Sequence, residues 1–194
     1  MVTIVTGTTN KPTSSEAIKL FFQTHSEIDG YLYIGYPIIG TVDGAYPIDA
    51  LLISPEKGIV AFNLIEGTNI NGYEEAQDDC ANKIEAKLKG YKQLVTKRTL
   101  CVDIYVITFA PGLARCPEHD AGYPLCVNAH ELENNLTQCT WTENSYYSKV
   151  VSVLQAISTI RKGKKKREIA DPKSRGAKIR SLEDSIAKLD NQQS

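Results

Sequence analysis

Two apolar runs separated by a four-residue turn constrain this chain most. Residues 45–54 read Ala-Tyr-Pro-Ile-Asp-Ala-Leu-Leu-Ile-Ser, and residues 59–66 read Ile-Val-Ala-Phe-Asn-Leu-Ile-Glu. Pro55-Glu56-Lys57-Gly58 between them has the composition of a tight turn. A strand covered on one face alternates apolar and polar residues, whereas a near-continuous apolar run is covered on both. The pair therefore predicts a strand-turn-strand unit inside a sheet that other layers cover on both sides.

The flanking segments supply those layers. Residues 14–24 predict a helix with Ala17, Ile18, Leu20 and Phe21 on roughly one face and Ser14 or Ser15 as its cap. Residues 30–36 alternate and are aromatic, which predicts a strand. Residues 73–97 predict one long helix, acidic early and basic late in accord with the helix dipole, with Gly90 as a break or kink. Residues 100–109 predict an apolar strand and 125–128 a short one, and helices are expected at 129–136 and 146–161. The order is α-β-β-β-α-β, then a final strand and helices. It places the chain in the α/β class, with a mixed sheet flanked by helices if the crossover to the fourth strand is parallel.

Charge divides the chain. Residues 1–160 carry 11 Lys and Arg against 18 Asp and Glu, a balance of −7. Residues 161–180 carry 10 against 2, a balance of +8, and residues 181–194 carry 1 against 3. The body repels a polyanion on average and the basic stretch attracts one. We read residues 1–160 as an α/β domain, 161–178 as a basic linker, and 179–194 as an amphipathic helix with Ile179, Leu182, Ile186 and Leu189 on one face. No apolar run approaches the roughly 18–20 residues that span a bilayer, and the N-terminus lacks the pattern of a signal peptide. Five scattered cysteines suit reduced thiols in a cytoplasm better than a disulfide framework.

Residues 14–136 resemble, in element order and in the strand-turn-strand carrying Asp49, the nuclease-related domain family of the restriction-endonuclease-like fold. The resemblance implies an αβββαβ core with an Asp on its second strand and a Glu-x-Lys on its third. Asp49 matches the Asp; Asn63 stands in place of the Glu and Ile65 in place of the Lys. The first helix of such folds often brings a further acid, for which Glu27 is the nearest candidate. Cleavage on this scaffold needs two carboxylates on Mg²⁺ and a positive group at the attacking water. Asn63 offers only a neutral carbonyl and Ile65 offers nothing, so Asp49 is the one position left for Mg²⁺, and between Ile48 and Ala50 it reads equally as an acid that caps a turn or pairs with a lysine. Glu66 follows Ile65 and on a regular strand points to the other face. The expectation is a catalytically degenerate nuclease-like domain.

The tail carries a second resemblance. Asp171-Pro172-Lys173-Ser174-Arg175-Gly176-Ala177-Lys178 followed by residues 182–193 is similar to the lead-in of superfamily 1 helicase motors. Leu189-Asp190-x-x-Gln193 is similar to the motif whose glutamine bonds adenine. The chain contains no Gly-x4-Gly-Lys-Ser/Thr loop. The resemblance implies the N-terminal part of a bacterial ATP-dependent DNA helicase, ending ahead of its motor, of a kind similar to those in DNA repair and phage defence. Its roles would be to bind or position DNA without sequence preference through Lys164, Lys165, Lys166, Arg167, Lys173, Arg175 and Lys178, or to dock its own motor or a partner subunit.

Two other functions stay open at this level. One is an Mg²⁺-dependent DNase with a rearranged site, using Lys83 or Lys87 from the long helix and Gln77 at a phosphate. The other is a protein-interaction module without DNA contact. Cys116, His119, Cys126 and His130 have the residue types of a zinc site at an uncommon spacing; buried thiols and ordinary histidines are the plainer reading. Tyr31, Tyr33, Tyr36 and Tyr46 could stack on bases, but cross-strand packing is the commoner use of such a set.

Overall fold

The computed structural model describes residues 1–41, 44–141 and 143–154. Its elements are β1 (Val2–Thr6), α1 (Pro12–Thr24), β2 (Gly30–Thr41), β3 (Gly44–Ser54), β4 (Gly58–Leu64), α2 (Tyr73–Leu88), β5 (Val95–Thr96), β6 (Thr99–Leu100), β7 (Ile104–Phe109), β8 (Leu125–Cys126) and α3 (Ala129–Leu136). Residues 147–154 are helical as well. Six strands form one mixed sheet in the order β1-β2-β3-β4-β7-β8. The meander β2-β3-β4 is antiparallel, while β1 joins β2, β7 joins β4, and β8 joins β7 in parallel. The β4–α2–β7 crossover thus returns parallel.

Alternation along β4 explains the layers. Ile59 and Ala61 pack with Cys80, Ile84 and Leu88 of α2 and with Val150, Val153 and Leu154. Val60, Phe62 and Leu64 pack with Ile18, Phe21 and Phe22 of α1 and with Leu132 and Leu136 of α3. The run that reads as covered on both faces is so covered, because helices from two parts of the chain bury it. The turn after β3 is held by the Ser54 hydroxyl, which accepts the amides of Glu56 and Lys57 at 3.2 and 3.1 Å. Trp141 closes the same end by donating its indole N–H to the Ser54 carbonyl at 2.7 Å.

Several boundaries differ from the sequence reading. β1 has no counterpart in it: five residues give too short an alternation, and the pairing partner lies beyond a whole helix. Helix α1 starts at Pro12, where proline's fixed φ suits the first helical position, and Lys11 precedes it without a side-chain cap. Its buried stripe is Ser14, Ser15, Ile18, Phe21 and Phe22, and Leu20 faces out at 60% exposure. The helix expected over 73–97 stops at Leu88. A single 3₁₀ turn, Lys92–Leu94, then leads into the β5–β6 hairpin. Gly90 and the β-branched Val95, Thr96 and Thr99 favour that switch. The hairpin turns on Lys97 and Arg98, both with positive φ (52° and 68°). The basic residues from 161 onward and Gln193 lie outside the described residues.

Candidate functional site

The centre of interest is the end of β4 where it parts from β3. Their ladder closes at the pair Ala50 and Phe62. Beyond it Leu64 finds no backbone partner on β3. Its N–H donates to Asp49 Oδ2 at 2.9 Å, and its carbonyl accepts from Lys11 Nζ at 2.7 Å. Lys11 Nζ also donates to Asp49 Oδ2 at 2.8 Å. The ammonium and the carboxylate together replace two missing ladder bonds. Both side chains are about three-quarters covered, at 28% and 22% exposure, so the pair is screened less than a surface pair.

Glu66 lies just past β4 and turns to α1. Its Oε2 accepts the Thr13 amide at 2.9 Å, and its Oε1 accepts the Ser14 amide and hydroxyl, both at 2.9 Å. A carboxylate from the strand side thus caps the helix, which corrects the expected Ser14 or Ser15 cap. Hydrogen bonds from the Ser14 and Thr13 amides favour the charged form and draw the Glu66 carboxyl from 4.5 down to about 2. A depressed folded-state pKa means stability that is complete above about 4.5 and lost as pH falls towards 2. Thermal melts from pH 6 to pH 2 should therefore show Glu66→Gln less stable than the parent at pH 6, with the two curves converging at the acid end. A gap that stays constant across that range would remove Glu66 as the titrating cap.

Asn63 belongs to another network on the opposite side of the sheet. Its Nδ2 donates to Thr108 Oγ1 at 3.1 Å. Gln77 Nε2 donates to the same oxygen at 2.8 Å and to the Pro124 carbonyl at 2.9 Å. Thr108 and Gln77 are buried, so these bonds satisfy polar groups that water does not reach. Ile65 packs with Tyr73, Ala110 and Leu125. Of the four expected nuclease positions, Asp49 therefore sits with Lys11, Asn63 with Thr108, and Ile65 in an apolar cluster. Glu27 lies elsewhere: it follows the far end of α1, where its carboxylate gathers with His25 and Glu133. A 13-residue helix is about 20 Å long, so Glu27 is held well away from the end that Lys11 shares with Asp49. Lys83 pairs with Asp79 on α2, and Lys83 and Lys87 lie roughly 9 and 15 Å along the helix beyond Gln77.

These residues do not fit Mg²⁺. The ion asks for about six oxygens in near-octahedral array, at least one or two of them carboxylate. Asp49 Oδ2 already carries an ammonium and an amide, both Glu66 oxygens cap a helix, and Asn63 turns its nitrogen to Thr108.

The cysteine and histidine set does not assemble either. Cys116 Sγ lies 3.6 Å from His119 Nδ1, but Cys126 is buried and accepts from Asn135 Nδ2 at 3.1 Å, and His130 contacts Asn134. Among the described residues, no three of these four bring ligand atoms within 4.8 Å of one another. Burial pushes the Cys126 thiol up to about 12, so it acts as a core residue. All five cysteines are free thiols. Tyr33 is buried, and its ring stacks beside that of Tyr31, two residues earlier on the same face of β2, with centroids 6.3 Å apart, which is packing within one strand. The side chains of Tyr36 and Tyr46 lie outside the described residues. Among the described residues no helix is long and apolar enough to cross a membrane.

Lys11 is the residue that sequence reasoning missed at this site, and with it the capping role of Glu66. The signal for Lys11 was its place directly before the helix, at Lys11-Pro12, where a long cation can reach back over a strand end. Compared with known proteins, the chain matches no family model, no curated protein and no solved structure at a significant level.

Proposed function

We propose that this chain is a nuclease-like domain that does not cleave, and that it serves a DNA-handling protein by binding or positioning nucleic acid or by docking a partner. The arrangement α1-β2-β3-β4-α2-β7, with an antiparallel meander and a parallel crossover, supports a restriction-endonuclease-like core. The observation that carries the loss of cleavage is Lys11 Nζ on Asp49 Oδ2 at 2.8 Å, where a metal-binding acid is expected. An ammonium there supplies fixed positive charge without a vacant coordination position, so no water is activated. The DNA contact rests on the +8 balance of residues 161–180, and the helicase parent rests on the sequence resemblance of residues 171–193.

A rearranged DNase is the second reading, and one observation favours it. Lys11 and Glu66 bring a lysine and a second carboxylate to the same end of β4 as Asp49. Supercoiled plasmid incubated with the full chain and Mg²⁺ or Mn²⁺ separates the two. We expect it to stay supercoiled. Metal-dependent nicking that Asp49→Ala abolishes would establish the enzyme instead. In the same samples, alanine at Lys164, Lys165, Lys166 and Arg167 should weaken DNA retardation and flatten its salt dependence by about four counterions at most. Equal retardation by both proteins would remove DNA contact from the linker.

A further inference from the structure

The far end of α1 holds a cluster that the nuclease-like reading does not use. His25 follows α1 directly, Glu27 lies in the turn before β2, and Glu133 projects from α3. One ligand atom from each lies within 4.8 Å of the other two. His25 Nε2 is 3.7 Å from Glu133 Oε2. Around a tetrahedral ion with bonds of roughly 2.1 Å, neighbouring ligand atoms sit about 3.4 Å apart, so small rotations of two exposed glutamates close the set.

The imidazole is oriented in advance. His25 Nδ1 lies 2.7 Å from the Phe21 carbonyl. A carbonyl can only accept, so in the neutral ring Nδ1 carries the proton and Nε2 keeps its lone pair. The Phe21 ring stacks on the imidazole at 3.9 Å and 21°, which fixes its plane. A backbone acceptor on the other ring nitrogen is the usual outer support of a metal-bound histidine. Two carboxylates this close repel each other, and a divalent cation between them turns that repulsion into ligation.

We propose that His25 Nε2, Glu27 and Glu133 bind one divalent ion of the zinc type, with water completing the coordination. One imidazole with two carboxylates suits a borderline ion better than Ca²⁺ or Mg²⁺, which prefer oxygen alone. The ion ties the end of α1 and the turn before β2 to α3, across the layer that covers one face of the sheet. It stabilises the fold there and has no part in the chemistry at Asp49.

The test uses the full chain, stripped with a chelator and titrated with Zn²⁺ by calorimetry and by thermal melting. We expect one saturable site and, at about a hundredfold excess over Kd, a Tm roughly 5–10 °C higher. Glu133→Gln and Glu27→Gln should melt like the parent in chelator and bind at least about tenfold more weakly. Cys116→Ser should keep the full response. Co²⁺ bound at the same site should show no thiolate charge-transfer band. The proposal is overturned if the parent shows no saturable binding, if the glutamine variants respond as the parent does, or if Cys116→Ser abolishes the response.

Discussion

Lys11→Met should lower the stability of the chain by about 2 kcal/mol, or roughly 4–8 °C in Tm. Methionine keeps the length and apolar stem of lysine but removes the charge. Two groups then lose a partner at once: the Asp49 carboxylate, at 22% exposure, and the Leu64 carbonyl at the open end of the β3–β4 ladder. Asp49→Asn should cost less, because an amide oxygen still accepts the Leu64 N–H. The double variant should cost less than the two single changes added together, by roughly 1 kcal/mol, since each single change strands the other residue. Additivity within about 0.3–0.5 kcal/mol would mean that the pair is not coupled. Millimolar Mg²⁺ should not restore the Tm of Lys11→Met, because Asp49 Oδ2 still accepts the Leu64 amide and both oxygens of the nearby Glu66 remain on the first turn of α1. Restoration would return Asp49 to a metal role and undo the proposal that lysine stands in its place.

How far such a site can be read from sequence follows from the range of the forces that build it. The strand at 44–54, the turn after it and α3 are local matters of periodicity and turn chemistry, and they stand where the pattern puts them, whereas the next strand ends at Leu64, two residues short of the expected 66. Asn63 and Glu66 part in the sense that alternation suggests, one bonding through Thr108 to α2's Gln77 and the other capping α1, although β4 ends at Leu64 and the Glu66 contacts are made beyond the strand. The contacts that decide the site are not local. Lys11 meets Asp49 across 38 residues, and Glu66 meets Ser14 across 52. No spacing rule joins such residues until the strand order is known. Glu27 illustrates the converse. It is near the first helix in sequence, yet a helix carries its two ends to opposite ends of a sheet. Helix length alone argues against placing a residue after its C-terminus beside one at its N-terminus. β1 stayed hidden because its edge pairing depends on β2, 24 residues beyond its own end, at Gly30.

Gly30→Ala should be the most damaging alanine substitution among the glycines of the described residues. Gly30 begins β2 with φ at +123°, a region that residues with a Cβ rarely enter. A Cβ there would stand 2.1 Å from the Ile53 carbonyl oxygen and 2.8 Å from Ser54 Cα. Both neighbours are backbone, and Ile53 is held in the sheet by its pairing with Tyr31 and with Ile59, so no rotamer change relieves the clash. Either β2 moves away from β3 or the chain abandons the φ that lets Val2 pair opposite Gly30. We expect a loss of at least about 3 kcal/mol, a large part of the roughly 5–15 kcal/mol that holds a domain together. Gly67→Ala separates strain from collision. Gly67 also has a positive φ, +84°, but a Cβ there meets nothing within 4 Å, so it should cost only about 1–2 kcal/mol. Urea unfolding of the two variants, with m values compared, measures the difference directly. If Gly30→Ala is as mild as Gly67→Ala, β2 does not approach β3 this closely. The same result would loosen the account of the ladder that opens towards Asp49, since β3 is fixed on its other side by that approach.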